Sequence, residues 1–427
     1  MATTDPFRET AHPGAAPATA ALDADVLVVG GGLAGGALTC ALAGAGLAVV
    51  TVDAEDPARF LGAGFDGRAS AIAAGSQRVL DAIGLWPAVA PEAQAIEEIR
   101  VSDGALSRGD SLFFLHYDHQ ALGDEPFGFM VENRTLRRAL MQTLPAMAGV
   151  TYLAPARVAD LAHDLAGVRA TLDDGRRVRA RLVVGADGRR SQMREAAGIR
   201  LTQWSYGQTG IVCTVAHEYP HNGVAQEHFL PGGPFAILPL RHDRASLVWT
   251  EKDSLAPAIM ALDDDEFLFE LRRRFGDYLG DLRVVGPRWA YPLSLQFAET
   301  YVATRLCLVA DAAHGMHPIA GQGLNMGLRD VAALAEVLAD AHRLGLDLGS
   351  ATVLARYARW RGFDNTLMLA MTDLLNRLFS NDVAPVRLAR DLGMAAVNQV
   401  PPLKRFFMRH AMGLVGELPR LMRGEAL

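Results

Sequence analysis

Apolar positions fall into three kinds of run along this chain. The first kind is nearly continuous. From Asp25 to Asp53 the sequence reads DVLVVG, then LAGGALTCALAGAG, then LAVVTVD. A strand buried on both faces reads this way, and the pieces form a strand–helix–strand unit with a glycine turn inside. The second kind alternates with period two. IRVSD, LFFLHYDH and FGFMVEN, between Ile99 and Val131, predict a small sheet. GIVCTVAHE, VAQEHFL, PFAILPL and ASLVWTE, between Gly210 and Thr250, predict an antiparallel one. Thr171 to Gly188 reads as a hairpin turning at Asp174-Gly175, then a strand ending at Asp187. Trp289–Leu295 is one more extended piece. The third kind has helical period. It covers Asn133–Met147, Asp263–Phe275, the close of the segment Leu308–Leu338, and the chain from there to its end.

This order implies an interrupted domain. An α/β, Rossmann-like unit would take residues 24–96, 128–200 and 300–345. A mixed or antiparallel β-sheet domain for substrate would take 97–127 and 201–299, and a helical region 346–427. Interleaving of this kind needs few chain crossings. Residues 1–23, rich in Ala, Thr and Pro, are expected to be a flexible tail.

Charge and composition narrow the function. A net charge of −7 gives no basic face for nucleic acid, so none is expected as a partner. Cys40, Cys213 and Cys307 lie far apart without a CxxC pair, which fits a reducing compartment and buried apolar thiols. The uncharged run from Val26 to Val52 is long enough to span a bilayer, but its glycines divide it into strand, turn, helix and strand. A cytoplasmic protein is expected. The pairs His314/His317 and His116/His119 lack a clustered carboxylate, so no metal site is expected.

Three segments carry candidate chemistry. Gly30-x-Gly32-x-x-Gly35 follows a strand and opens a helix. Its glycines serve a tight turn, a close approach to pyrophosphate and helix–strand packing. Asp53, ending the next strand, stands where a carboxylate accepts from an adenosine ribose, and it disfavours a 2′-phosphate, so FAD or NAD fits. Val184 to Gly188 (VGADG) places Asp187 at a strand end; alone it reads equally as a β-turn before a helix. Leu308 to Leu338 runs LVADAAHGMHPIAGQGLNMGLRDVAALAEVL. A strand stops at Asp311, a His-Pro loop follows, and Gly321, Gly323 and Gly327 bracket Asn325 before a long helix. That suits a flat cofactor able to carry negative charge.

GxGxxG, the mid-chain GADG and the late D-A-A-H-x-x-x-P-x-x-G-Q-G-x-N together resemble the signatures of the flavoprotein aromatic hydroxylases. The resemblance covers nearly the whole chain from about Asp25. GRASAIAAGSQRVLDAIGLW (67–86), MVENRTLRRAL (130–140) and HPIAGQGLNMGLRD (317–330) are similar to the ubiquinone-biosynthesis branch, of the 2-polyprenyl-6-methoxyphenol hydroxylase type. The resemblance implies FAD as cofactor, NAD(P)H or another electron donor as co-substrate, and dioxygen. It implies hydroxylation of a polyprenylated phenol through a flavin C4a-hydroperoxide, and other proteins of the pathway as partners. It puts Asp311 at the ribityl–phosphate end of FAD, and Pro318, Gly321, Gln322, Gly323, Leu324 and Asn325 along the isoalloxazine edge. Arg68 and Arg134 stand at positions of FAD-contacting arginines, Val158 near the adenine, and Asp187 near the pyrophosphate. No residue is singled out for phenol deprotonation. Ala310 stands where the family usually has glycine; its methyl is expected to tighten packing without loss of binding.

Two rival activities stay open: saturation of prenyl double bonds on a similar fold, and a non-catalytic FAD-holding scaffold. Phe363–Phe379 is apolar on most faces and is expected to be buried or partnered. Pro402–Met422, with Lys404, Arg405, Arg409, Arg420 and Arg423 beside apolar residues, reads either as a helix docked on the body or as an amphipathic helix meeting the membrane's inner face.

Overall fold

The computed structural model describes residues 21–61, 67–105, 109–317, 321–380 and 397–427. Its first sheet is built from the near-continuous apolar runs. In β1 (Leu22–Val29), Val26 to Val29 are all buried, as a parallel strand between helical layers requires. β1 pairs in parallel with β2 (Val49–Val52) and with β11 (Arg177–Gly185). β2 continues in parallel to β8 (Val150–Leu153), and β11 to β18 (Leu306–Leu308). β17 (Val302–Ala303) closes one edge, while β9 (Val158–His163) and β10 (Val168–Leu172) form an antiparallel flank on β11. The ladder between β1 and β11 already runs at Leu22. The strand therefore starts inside the segment expected to be tail; residues 1–20 lie outside the described residues.

The turn into α1 (Leu33–Gly44) depends on glycine. Gly30 has φ +102°, a backbone that L side chains rarely adopt. A Cβ on Gly35 would stand 1.8 Å from the Gly30 carbonyl oxygen, so helix and strand could not close together.

The second sheet has the order β19-β16-β12-β15-β14-β13-β5-β6. Its strands are β5 (Glu98–Ala105), β6 (Gly109–Asp118), β12 (Leu201–His217), β13 (Val224–Leu230), β14 (Gly233–Leu240), β15 (Arg244–Lys252), β16 (Leu282–Ala298) and β19 (His314–Gly315). All neighbours are antiparallel except β13 and β5. One face packs Phe235 and Trp249 against Phe267, Leu271 and Phe275 of α3 (Asp264–Phe275). That helix starts at an Asp263/Glu266 capping box, which satisfies two otherwise orphaned N–H groups. A third sheet joins β3 (Ala69–Ala73), β7 (Gly128–Glu132) and β4 (Gln94–Ile96), beside α2 (Asn133–Thr143).

β12 and β16 are longer than the alternation predicts: each has 17 residues. Trp289–Leu295 is only the middle of β16. Register shifts between Ser205/Gln208 and Val212/Thr214 break the period-two pattern without breaking the pairing.

Among the described residues, three α-helices lie in the last part of the chain: α4 (Gln322–Arg343), α5 (Ala351–Phe379) and α6 (Pro401–Ala411). Phe363–Phe379 is the second half of α5. Leu369 and Phe379 are buried there, whereas Phe363 and Leu374 are 74% and 59% exposed. The single helix expected over Pro402–Met422 ends at Ala411. Gly413 (φ +70°) and Gly416 (φ +87°) turn the chain, and a 3-10 turn at Arg420–Arg423 packs Leu421 and Met422 into the body. Cys40, Cys213 and Cys307 are all free and buried; burial pushes the first two thiols up to about 12.

Ala310 adopts φ +52°, the left-handed region in which glycine costs nothing. Its methyl lies against α4: a Cβ on Gly327 would come within 2.8 Å of the Ala310 Cβ. The two positions thus have room for one Cβ between them, and Ala310 supplies it. Gly327→Ala should destabilise the chain by about 1–3 kcal/mol through overpacking. With Ala310→Gly in place, the same substitution should stabilise by up to about 1 kcal/mol, the helix-propensity gain. Urea unfolding of the four variants measures both; additive effects would contradict the contact.

Candidate active site

A cavity of about 1990 Å³ opens beyond the carboxyl ends of β1, β2 and β11 and is roofed by the second sheet. Drug-sized pockets occupy roughly 300–1,000 Å³, so this one has room for two ligands.

At one end lie Gly30 to Ala34, Asp53, Val158 and Asp187. α1 begins at Gly32 with no side-chain cap, and a Cβ on Gly32 would meet nothing within 4 Å. The first-turn N–H groups of α1 therefore face open space, the arrangement that binds phosphate. Asp53 accepts from the Glu55 N–H at 2.9 Å and from the Tyr152 hydroxyl at 3.5 Å. Asp187 is more committed: it accepts from Ser191 Oγ at 2.5 Å and from the Met193 N–H at 3.1 Å. Arg68 lines the cavity with its guanidinium 5.3 Å from the Trp289 ring centre. Arg134 is not on the wall; its Nε donates to Glu132 Oε2 at 2.5 Å. Arg137, one turn further along α2, lines the cavity with Leu140 and Met141. The i, i+3, i+4 spacing of those three residues carries that signal.

The middle of the cavity is bounded by Asp311 and the start of α4. Asp311 exposes its surface into the cavity, and no hydrogen bond reaches its carboxylate among the described residues. Crowding by the surrounding protein raises its pKa, against the pull of Arg189 and His314. Gly321 caps α4 in the left-handed conformation (φ +61°), again without a side-chain cap, and Gly323 is open on its Cβ side. Gln322, Gly323, Leu324 and Asn325 follow on the wall. The Asn325 side chain is engaged within the fold: its Oδ1 accepts from the Ala73 N–H at 2.9 Å, and its Nδ2 donates to the Ala71 and Gly321 carbonyls at 2.9 and 3.1 Å. It fastens the start of α4 to β3. Pro318 lies outside the described residues.

The histidines have structural surroundings. His314 Nε2 stands 2.6 Å from Asp330 Oδ2. The same oxygen accepts from the Ala310 N–H at 3.0 Å. Asp330 Oδ1 accepts from Arg361 Nε at 2.8 Å and from Asn365 Nδ2 at 3.1 Å. Burial alone would raise this carboxyl; His314 and Arg361 instead hold it well below the usual carboxylate range. His317 is fully buried, edge-on to Tyr206 at 5.3 Å, and burial lowers it to about 4. His116 meets Glu98, and His119 meets the Glu97 carbonyl.

Uncapped helix starts, open glycines and an unbonded carboxylate fit a long ligand with phosphate at one end and a flat ring at the other. Residues 23–361 match the FAD binding domain family. The chain belongs to that family. FAD is accordingly its cofactor, and the chain is an FAD-dependent monooxygenase. The ubiquinone hydroxylase UbiL of Rhodospirillum rubrum is 59% identical over 416 residues, 96% of each chain. The 3-demethoxyubiquinol 3-hydroxylase of Escherichia coli is 36% identical, over 91% of this chain and 98% of its own. The crystal structure of p-nitrophenol 4-monooxygenase PnpA from Pseudomonas putida DLL-E4 superimposes with a TM-score of 0.76. It covers 93% of this chain and 99% of its own at 20% identity, and so speaks for the fold alone.

The Asp330 cluster fixes the loop that carries Asp311 on the cavity wall. Asp330→Asn should cost about 3–5 kcal/mol, because Arg361 loses its buried counter-charge. The folded carboxyl binds its proton more weakly than the unfolded one, whose pKa is about 3.9. Its contribution is therefore complete above about pH 4 and is lost as acid protonates it. The variant should lack that acid limb. A urea-midpoint series against pH tests this; a loss under about 1 kcal/mol would refute the role.

Proposed function

We propose that this FAD-dependent monooxygenase hydroxylates the aromatic ring of a polyprenylated phenol in ubiquinone biosynthesis. The observation that carries the reading is the far half of the cavity. Beyond Gly321 it becomes an apolar passage between the second sheet and the last helices, walled by Met368, Met371, Leu375, Phe379, Phe406 and Phe407. A flavin does not need that space, and a hydrocarbon tail does.

Bound FAD would supply electron transfer and oxygen activation, with NAD(P)H or another donor as co-substrate. The chain's own residues supply the rest. The N–H groups at the start of α1 hold pyrophosphate, with Asp187 close by. Asp53 accepts from the adenosine ribose, Val158 packs at the adenine, and Asp311 accepts from the ribityl chain. Arg68, braced on Trp289, contributes positive charge. The backbone from Gly321 to Asn325 lies along the ring, and the positive end of α4 stabilises charge that develops there. The apolar walls exclude water and orient the phenol.

Leu367 and Phe406 line the cavity and are also exposed. Phe363 and Leu374 on α5 and Leu403 on α6 are exposed beside them, with Lys404, Arg405 and Arg409 on α6. This mouth is read as a peripheral contact with anionic lipid, from which the prenyl tail is drawn. Among the described residues no helix is long and apolar enough to cross a membrane.

Protein loaded with FAD and supplied with reductant and a prenylphenol should consume oxygen, and the product should gain one oxygen atom. A gain of hydrogen would favour double-bond saturation, and no turnover would favour a scaffold. A long-tailed substrate should react faster from anionic vesicles than from neutral ones, and equal rates would sink the membrane reading. Asp311→Ala should weaken FAD binding roughly 10–100-fold, the scale of a charge-assisted hydrogen bond, with the far-UV circular dichroism unchanged. Full flavin occupancy would remove Asp311 from its role.

A further inference from the structure

The cavity face of the second sheet is mostly apolar, with Gln203, Gln226, Ser294 and Gln296 among its neutral polar members. From β13, Ala225, Glu227 and Phe229 line it, with Gln226 at its margin between the first two, and Glu227 is the one carboxyl that the described strands of this sheet bring to the wall. Glu227 is flanked across the sheet by Val101 of β5 and Ala236 of β14, both of which also line the cavity. No hydrogen bond or ion pair reaches its carboxylate among the described residues. A carboxyl placed in an apolar wall without a partner costs stability, which is reason to ask what it faces.

Its position along the cavity is defined from both ends. Ala225, two residues one way, belongs to the apolar cluster against which Ala71 packs. Ala71 in turn touches the turn along the flavin ring, since a Cβ on Gly321 would lie 3.0 Å from the Ala71 Cβ. Phe229, two residues the other way, stacks on Phe379 at the end of α5, with ring centres 4.1 Å apart. Same-face residues of a strand repeat every ~6.6 Å. Glu227 thus stands between the flavin-facing turn and the apolar passage, where the head group of a prenylphenol would lie.

We propose that Glu227 receives the phenolic hydroxyl of the ring substrate, accepting its hydrogen bond and taking its proton as the ring is hydroxylated. The O–H bond breaks and its electron pair stays on oxygen. The proton passes to a Glu227 carboxylate oxygen, and the charge spreads to the ortho and para carbons, which become the nucleophile toward activated oxygen. No electron is exchanged with Glu227.

Burial pushes this carboxyl up to about 7, a value suited to a base at neutral pH. The surrounding groups leave it that task. His228 points away, onto Ser102 Oγ at 2.6 Å. Glu98, Arg100 and Asp103 of β5 are off the cavity wall, as are Asp373 and Arg377 of α5. Tyr117 of β6 faces the cavity but is raised to about 12 by burial, so it stays protonated. His410 of α6 faces the cavity too, and burial lowers its pKa.

This inference rests on the proposed ring substrate, so its test separates the two. In FAD-loaded protein with a short-chain prenylphenol, the parent's kcat/KM should rise as pH passes through about 7. Glu227→Gln should keep its flavin, lose roughly 10²–10⁴-fold in kcat/KM and lose that limb, while Glu227→Asp should recover part of both. A prenylated nitrophenol, coloured only as phenolate, should bind near pH 7 as phenolate to the parent and as phenol to Glu227→Gln. Parental rate and pH profile in Glu227→Gln, or the same bound colour in both proteins, would overturn the proposal. Phenolate binding by the parent alone, without hydroxylation of any prenylphenol, would support Glu227 as acceptor and defeat the hydroxylase reading instead.

Discussion

One buried carboxylate decides where the Asp311 loop lies on the cavity wall. Asp330 sits in the body of α4 with no access to solvent. A charge in that position must be met on every side, and four donors from two segments meet it. Ala310 and His314 come from the loop after β18, and Arg361 and Asn365 from α5. The loop cannot shift without uncovering the charge, and Asp311 is the loop's next residue after Ala310. Replacing such a cluster with apolar groups is often neutral for stability. What the ions add is direction, since hydrogen bonds fix an approach and a distance that apolar contact leaves loose.

The same logic explains why the site's glycines and helix starts look unfinished. In a self-sufficient fold, a helix begins with a Ser, Thr, Asp or Asn cap. α3, away from the cavity, has a full capping box. α1 and α4, whose first turns line it, have none. α2 and α6 lack a side-chain cap as well, but α1 and α4 start on glycine at the cavity wall, where their first N–H groups are open to whatever fills it. Asn325, the side chain best placed to approach that ligand, is turned inward to tie β3 to α4. The backbone, stiffened this way, is what lines the cavity there.

How much of this was legible in the sequence depended on whether the constraint was local. Gly30, Gly35 and Asp53 could be read because a tight turn and a strand end are decided within a few residues. Gly321 could be read for the same reason. The Asp330 cluster could not, since its members are spread from Ala310 to Asn365 and an aspartate in a helix has no signature of burial. His314 could be read only as a loop residue with no metal to bind, because the sequence does not show its partner Asp330. Arg134 and Arg137 differ only by which face of α2 they occupy, and the helical period around Leu140 and Met141 favours Arg137. Pro402–Met422 was read as one helix because apolar and basic positions recur across it, although Gly413 and Gly416 are the break. Glu227 was hidden inside VAQEHFL, where alternation gives the face of a strand but not what lies opposite.

The carboxylates around the cavity then sort by engagement. Asp187 is held by a hydroxyl and a backbone N–H, which fixes it as part of a turn. Asp53 accepts a short backbone bond at one oxygen and only a long contact at the other, leaving capacity for a ligand hydroxyl. Asp311 is unbonded but lies within the field of Arg189 and His314. Among the described residues Glu227 has neither bond nor neighbouring charge, and it stands where the wall turns apolar. A group that must gain and release a proton in each cycle needs a poise near neutrality, and burial alone gives Glu227 that poise. Burial raises Asp311 too, but there Arg189 and His314 pull back toward the ionised form. The two carboxyls therefore differ in whether positive charge stands near them, and that difference follows their places along the cavity wall.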